Sequence, residues 1–225
     1  MRTLRESDFV AATPPAALGD DEIHLWIFPH CGNGAAAKPV MHRHLSETLA
    51  AYLGGGANDL RLERDDAGKP HLAGAELQFN LSHSHEMLLI GLSRSQPLGV
   101  DIECGARLRP WPDIARRYFT AEEAAALAAL PADRLPRSFL ALWSAKEAVL
   151  KAIGRGIAFG LDRVGFALDA NGIVQDLSRL GEEAETPRQW QIAQIALANA
   201  VGALAWRGPE KTLRAFVVAN GDESP

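Results

Sequence analysis

Residues 98–103 read Leu98-Gly99-Val100-Asp101-Ile102-Glu103 and alternate in polarity from Val100 onward. This alternation predicts a β-strand, in which successive side chains point to opposite faces. Asp101 and Glu103 would then share one face, with Val100 and Ile102 on the other. Two carboxylates on one face repel each other unless a cation lies between them, and a hard divalent ion such as Mg²⁺ suits paired oxygen ligands. Taken alone, the pattern also fits a solvent-facing strand edge with two unrelated acids.

Upstream of this strand, one helix and several short strands are predicted. Residues 1–22 are mostly polar or small, so we expect a loose lead-in, and residues 29–39 predict a glycine-containing loop. From Met41 the apolar residues recur at helical spacing until the glycines at 54–56, which are typical of a helix end. The predicted strands are residues 23–28, 77–81, 87–92 and 98–103.

Downstream, helical signals come first and strands follow. Thr120 with Glu123 three residues later fits a capping box, and a longer helix is predicted over residues 138–153, closed by Gly154. Asn171-Gly172 is typical of a hairpin turn. The predicted strands are residues 166–168, 173–177, 190–197, 201–206 and 213–218. Because strands and helices do not alternate regularly, the order favours an α+β fold over a doubly wound sheet.

The length of the chain fits neither one domain nor two comfortably. At roughly 150 residues per domain, its 225 residues lie between the two. The two halves, residues 1–98 and 99–225, share a rhythm in which helix precedes antiparallel strands, although no residue-level repeat is visible. A hydrophobic share of 47% is ample for a packed core.

Composition disfavours several classes of protein. Cys31 and Cys104 are the two cysteines, too few for a disulfide framework, and no CxxC pair suggests zinc. No run approaches the roughly 18 apolar residues of a membrane span, and the start of the chain lacks the apolar segment of a secretory signal. The net charge of −5 gives no footprint for nucleic acid. We therefore expect a cytoplasmic protein that binds neither membranes nor nucleic acid.

Residues 143–151 read WSAKEAVLK and carry a second candidate site. Glu147 and Lys151 are four residues apart and share one face of the predicted helix, where they would equally fit an ordinary surface ion pair. Lys146 and Lys151 are five apart, so both cannot share the face of Glu147. Trp143 and Leu150 are expected to pack in the core.

Two further stretches hold candidates for phosphate contacts. In FNLSHS, residues 79–84, Ser82 and His83 could hold a phosphate oxygen at a strand end, although His83 also fits an ordinary loop histidine. A serine nucleophile is disfavoured because no GxSxG elbow occurs. The stretch GKP, residues 68–70, is by itself a turn, and neither a Walker loop nor a GxGxxG fingerprint is present.

The order and spacing of these motifs are more specific than any one of them. GKP (68–70), FNLSHS (79–84), GVDIE (99–103) and WSAKEAVLKAIGRGI (143–157) together resemble the Sfp-type 4′-phosphopantetheinyl transferases. The resemblance implies a pseudo-dimer of two similar α+β halves, with coenzyme A and Mg²⁺ in the cleft between them. It also implies transfer of 4′-phosphopantetheine from coenzyme A to a serine of an apo acyl, polyketide or peptidyl carrier protein, with release of adenosine 3′,5′-bisphosphate.

Matched motif by motif, the resemblance implies a role for each candidate. The implied residues are Asp101, Glu103 and Glu147 for Mg²⁺; Ser82, His83 and Lys151 for the coenzyme A phosphates; and Gly68, Lys69 and Pro70 for its adenine. Glu147 would in addition act as general base toward the carrier serine, directly or through a water. Lys151 would stabilise charge on the departing bisphosphate.

The partners call for basic residues elsewhere in the chain. Family members often meet the coenzyme A 3′-phosphate with basic residues before the first helix, and the candidates here are Lys38, His42 and Arg43. Because the chain itself is acidic, docking of an acidic carrier needs a local basic patch. The candidates for that patch are Arg107, Arg109, Arg116 and Arg117. The same cluster also fits a solvated helix face. We expect a monomer.

Two other functions remain open. A regulatory or scaffold protein would bind coenzyme A without transfer, and a Mg²⁺-dependent pyrophosphohydrolase would cleave it without a carrier. The first is disfavoured by the intact set of Asp101, Glu103, Glu147 and Lys151, since binding alone needs no general base.

Overall fold

The computed structural model describes residues 1–32, 34–65, 68–74, 77–105, 109–155, 159–181 and 187–218. Its strands are β1 (Arg2–Arg5), β2 (Phe9–Ala12), β3 (Glu22–Phe28), β4 (Leu62–Arg64), β5 (Pro70–Leu72), β6 (Gln78–Ser84), β7 (Met87–Ser93), β8 (Leu98–Cys104), β9 (Val164–Leu168), β10 (Val174–Leu180), β11 (Trp190–Ala196), β12 (Ala200–Arg207) and β13 (Thr212–Val218). Its helices are α1 (Ala37–Leu53), α2 (Trp111–Tyr118), α3 (Ala121–Ala128) and α4 (Leu135–Ile153). The α+β fold class is confirmed.

Two larger sheets make up most of the fold. The first has five strands in the order β2-β13-β3-β7-β6, and the second has four in the order β1-β11-β12-β8. The pairs β4-β5 and β9-β10 form two small hairpins. Strand β6 of the first sheet lies against β8 of the second, so the sheets meet at the strand that carries Asp101 and Glu103.

The two terminal regions cross between the sheets. Strand β1 pairs in parallel with β11, and β13 pairs in parallel with both β2 and β3. The expectation of a loose lead-in over residues 1–22 is therefore wrong. Strands β1 and β2 are four residues long, which is too short for alternation to stand out, and their pairing partners lie far along the chain. The division into residues 1–98 and 99–225 stays a prediction.

The longer helices each cover one sheet. Helix α1 buries Leu45 and Leu49 against the first sheet, and α4 lies across β8 and β12 of the second. Gly54 and Gly154 end these helices in the left-handed conformation, as the sequence predicts. No helix of the described segments is long and apolar enough to span a membrane.

Candidate active site

Strand β8 presents its two carboxylates to the junction of the sheets. Val100 and Ile102 are buried in the apolar core, while Asp101 and Glu103 line a cavity of about 500 Å³. The alternation of the sequence therefore sorts these side chains as predicted. Asp101 is only 5% exposed, so its charge lies where water screens it poorly.

Two serines of β6 orient these carboxylates. Ser82 Oγ donates a hydrogen bond to Asp101 Oδ1 at 2.9 Å. Ser84 Oγ donates to Glu103 Oε2 at 3.1 Å. The serines are two residues apart on one strand and the acids two residues apart on its neighbour, so each serine faces one acid. Their hydroxyls thus hold the acidic face of β8 in place.

Helix α4 brings Glu147 and Lys151 to the same cavity. Their spacing of four residues places both side chains along its wall. Lys151 Nζ donates to Asp101 Oδ1 at 2.8 Å and to the carbonyl oxygen of Val100 at 3.0 Å. Among the ion pairs found in the described segments, Lys151 therefore binds an acid of β8 rather than Glu147 on its own helix.

The approach of α4 to β8 depends on Gly99. A Cβ atom at this position would overlap the carbonyl oxygen of Ala148 and the backbone nitrogen of Ala152. Because glycine alone lacks this atom, the helix can lie directly on the strand. The contact brings the face of Glu147 within reach of the acids of β8.

The cluster holds more negative than positive charge. Three carboxylates and one lysine line the cavity. Burial, reinforced by the charge of Asp101, raises the pKa of Glu147 from 4.5 to about 7. Burial and Asp101 also raise the pKa of Glu103. Asp101 Oδ2 and Glu147 Oε1 are buried and receive no hydrogen bond from any described residue, which is rare for buried polar atoms.

The donor set suits a hard divalent cation, because carboxylate oxygens are the ligands that Mg²⁺ prefers and two of them are unpartnered. Within the described part of the chain, however, no three His, Cys, Asp or Glu side chains converge as ready metal ligands. Asp101 is turned toward Ser82 and Lys151. The carboxylates must therefore move closer together before they can share a cation.

The acidic cavity continues toward the GKP turn. A neighbouring cavity of about 350 Å³ is lined by Gly68, Lys69 and Pro70 and shares Leu81 and Lys151 with the acidic one. The structure thus brings all four sequence motifs to adjoining walls. The ammonium of Lys69 is already engaged, since its Nζ donates to the carbonyl oxygen of Lys151 at 2.8 Å.

Two other motif residues lie on the cavity wall. His83 lines it beside Ser82, and its Nε2 lies 3.2 Å from the carbonyl oxygen of Gly32. Trp143 is half-buried and packs against the apolar core beside Phe139, as expected, and its other side lines the cavity. Leu150 is fully buried, as expected.

Lys146 points into the core and not into the cavity. It is fully buried, and its Nζ lies 2.6 Å from Glu123 Oε2. The same ammonium donates to the carbonyl oxygens of Leu161, at 2.9 Å, and Val164. Burial lowers the pKa of Lys146, and Glu123 opposes this shift. A lysine inside the WSAKE motif is therefore a structural member of the core.

Sequence reasoning missed three residues of the site. Asn80 Oδ1 accepts a hydrogen bond from Val100 N at 2.8 Å and so joins the two sheets. Ser84 orients Glu103, and Met41 of α1 lines the cavity. Ser84 could have been found, because it shares a face of its strand with Ser82; the other two follow only from the tertiary arrangement.

The remaining candidates do not join the acidic cluster. Those for the 3′-phosphate, Lys38, His42 and Arg43, are exposed. Arg116 pairs with Asp113, and Arg117 lies over the ring of Tyr118. Arg109 lines a cavity of about 120 Å³ together with Glu103 and Trp143. Arg107 and the last two residues of the fourth motif, 156 and 157, lie outside the described residues.

A larger cavity lies elsewhere in the fold. It measures about 550 Å³, extends between Trp190 and Lys211, and has no lining residue in common with the acidic cavity. None of the four motifs contributes to its described walls. The raised carboxylate pKa values and the unpartnered oxygens lie in the smaller cavity, which is therefore the candidate active site.

Part of the chain is similar in sequence to known proteins. Residues 97–205 match the profile of the 4′-phosphopantetheinyl transferase superfamily. The chain is therefore similar to this superfamily over 109 of its 225 residues. It is 36% identical to the 4′-phosphopantetheinyl transferase HetI of Nostoc sp. over 64% of this chain and 62% of that protein. It is 38% identical to the transferase psf-1 of Bacillus pumilus over 59% and 55%, and 34% identical to the transferase Sfp of Bacillus subtilis over 52% and 51%.

The superfamily match covers only part of the site. Asp101, Glu103, Glu147 and Lys151 lie inside the matched residues 97–205, whereas GKP and FNLSHS precede them. The chain aligns with 62%, 55% and 51% of the lengths of the three relatives. The Sfp-type resemblance is thus confirmed as a sequence similarity to these transferases, and the activity of this chain is a proposal.

Proposed function

We propose that this protein transfers 4′-phosphopantetheine from coenzyme A to a serine of an apo carrier protein. The observation that carries the proposal is the cluster of Asp101, Glu103, Glu147 and Lys151 at the junction of the two sheets. Such a cluster suits the chemistry, because transfer to a serine needs a base for the hydroxyl and positive charge beside the pyrophosphate. The other product would be adenosine 3′,5′-bisphosphate.

Coenzyme A would occupy the two adjoining cavities. Its adenine would lie by Gly68, Lys69 and Pro70, in the cavity of about 350 Å³. Its phosphates would extend past the shared Lys151 toward Ser82 and His83 in the acidic cavity. Both serines of β6 are donors to carboxylates in this structure, so a phosphate contact by Ser82 requires its hydroxyl to rotate away from Asp101.

Mg²⁺ would be held by Asp101, Glu103 and Glu147, and when bound it would neutralise pyrophosphate charge. The protein side chains have their own tasks. Lys151 would leave Asp101 to face the phosphates and stabilise the departing bisphosphate. Glu147 would take the proton of the carrier serine, directly or through a water, because its carboxylate lies on the wall of the same cavity.

The carrier would approach from the side of Glu103 and Trp143. Arg109 lines a small cavity with these two residues, and Arg117 lies on the neighbouring helix α2. Positive side chains at this edge would complement an acidic carrier. The monomeric state and the cytoplasmic location both stay predictions, the latter supported by the free thiols of Cys31 and Cys104.

The test is to incubate the protein with Mg²⁺, coenzyme A and a panel of apo carrier proteins. Mass spectrometry should find carriers heavier by one phosphopantetheine, and no product with Asp101→Ala or Glu147→Ala, both still folded. Glu63→Gln, an exposed carboxylate outside the cavity, should keep full activity.

Three outcomes would contradict the proposal. Coenzyme A binding without transfer to any carrier would indicate a regulatory protein. Cleavage of coenzyme A in the absence of a carrier would indicate a pyrophosphohydrolase. Full activity in Asp101→Ala would overturn the assignment of the cluster.

A further inference from the structure

Lys69 makes contacts that the implied adenine role does not account for. Its Nζ donates to the carbonyl oxygen of Lys151 at 2.8 Å and to that of Leu98 at 3.1 Å. Leu98 begins β8, three residues before Asp101, and Lys151 lies in the last turn of α4. One ammonium therefore ties together the two elements that carry the acidic cluster.

Hydrogen bonds on both sides of Lys69 fix the position of its backbone. The backbone nitrogen of Lys69 donates to Asp65 Oδ1 at 2.8 Å, and Asp65 N donates back to Lys69 O at 3.0 Å. Arg64 Nη1 donates to the carbonyl oxygen of Gly68. Gly68 has a φ of +83°, a conformation that favours glycine. The lysine thus projects from a closed turn and not from a free loop.

Lys69 donates to a carbonyl group in the last turn of α4. The last carbonyl groups of a helix lack intrahelical donors, and a cation beside them also complements the helix dipole. Gly154 N and Arg155 N both donate to Leu150 O, whereas the donor to Lys151 O in the described structure is Lys69. Removing this donor would loosen the turn from which the Lys151 side chain extends.

We propose that Lys69 is a positioning residue that fixes the last turn of α4 against the start of β8, and thereby holds Lys151 in place. This inference rests on the proposed transferase function for its kinetic consequence, but not for its structural one. The backbone of residues 68–70 can still line the neighbouring cavity, because only the ammonium is engaged. The burial that lowers the pKa of Lys69 also disfavours its use as a mobile phosphate ligand.

The first test needs no activity. Amide hydrogen exchange by NMR should show that Lys69→Met speeds exchange of the Gly154 and Arg155 amides about tenfold, as expected for loss of a charge-assisted hydrogen bond. Lys69→Arg, which keeps a cation with several donors, should restore part of the protection. The matched control is Lys211→Met, because Lys211 also donates to a backbone carbonyl, that of Asp20, and lines neither the acidic cavity nor its neighbour. Unchanged exchange at both amides would overturn the proposal.

The second test separates positioning from direct contact with coenzyme A. In a double-mutant cycle, Lys69→Met alone should slow transfer about tenfold relative to the wild type. Added to Lys151→Met, it should slow transfer little further. The penalty should be the same with 3′-dephospho-coenzyme A as substrate. An equal penalty in both Lys151 backgrounds, or one that disappears with the dephosphorylated substrate, would overturn positioning in favour of direct contact. If the wild-type protein transfers no phosphopantetheine, the proposed function is wrong. The hydrogen-exchange experiment still tests the positioning role of Lys69 in that case.

Discussion

Helix α4 carries two lysines that meet acids in opposite surroundings. Lys146 and Glu123 are 0% and 1% exposed and lie in the core. The three N–H groups of Lys146 face three acceptors, and Glu123 also accepts from the backbone nitrogens of Thr120 and Phe166. Lys151, five residues later, is the one lysine beside three carboxylates on a cavity wall.

The difference distinguishes charged groups that stabilise the fold from charged groups that are available for chemistry. Buried charges are tolerated when they are paired and hydrogen-bonded, and the pair of Lys146 with Glu123 meets that condition. The cavity cluster does not, because Glu147 has a raised pKa and an oxygen without a described partner. Incompletely paired carboxylates are expected where a charged ligand binds. The comparison therefore predicts that core variants change stability and cavity variants change activity.

In the cavity, Glu147→Gln should reduce activity without reducing stability. We expect transfer to slow roughly 10³-fold, about 4 kcal/mol in activation free energy, because glutamine keeps the shape but cannot accept the serine proton. Steady-state kinetics with saturating coenzyme A and carrier measures this loss. Urea unfolding should show a variant at least as stable as the wild type at pH 8. Activity within threefold of the wild type would remove Glu147 from the mechanism.

In the core, Lys146→Met should reduce stability without reducing activity. The free energy of unfolding should fall on the order of 3 kcal/mol, the lower end for breaking a buried pair, because methionine keeps much of the apolar volume but leaves Glu123 unpaired. Urea denaturation measures the loss, while transfer per folded molecule should stay near that of the wild type.

The partner variant sharpens this result. Adding Glu123→Gln to Lys146→Met removes the uncompensated charge but also one acceptor for the backbone nitrogens of Thr120 and Phe166, so the double variant should regain only part of the stability that Lys146→Met loses. Loss of activity at undiminished stability in Lys146→Met would instead assign Lys146 to the site.

The raised pKa of Glu147 should make the stability of the protein depend on pH. Because the pKa of Glu147 is about 7 in the native state against 4.5 ordinarily, the native state holds this proton longer than the unfolded state. The free energy of unfolding should therefore fall as the pH rises from about 4.5 to 7, by at most about 3 kcal/mol. Urea titrations at pH 5 and pH 8 without divalent cations measure it. Glu147→Gln should flatten this dependence; an unchanged slope in the variant would refute the assignment.

Local patterns predicted much of this molecule because local spacing determines much of it. The face of β8 that carries Asp101 follows from two-residue alternation, and the placing of Glu147 with Lys151 follows from helical spacing. The capping box correctly located Glu123, but it could not reveal that the same carboxylate binds Lys146. A carboxylate has enough acceptor positions for both, and the second partner is set by tertiary packing. For the same reason, β1 gave no local sign of its pairing with β11.

Ser82→Ala should give the smallest effect and decide between two roles for Ser82. The motif resemblance implies a phosphate contact, which predicts a raised KM for coenzyme A. The structure instead shows a hydrogen bond to Asp101 Oδ1, which predicts a weaker response to Mg²⁺, about fivefold in the half-saturating concentration, with the KM unchanged. Ser84→Ala, which removes the equivalent bond to Glu103, is the matched variant and should act in the same direction. The effect should be small because Lys151 still donates to the same oxygen of Asp101, so this carboxylate keeps one of its two anchors.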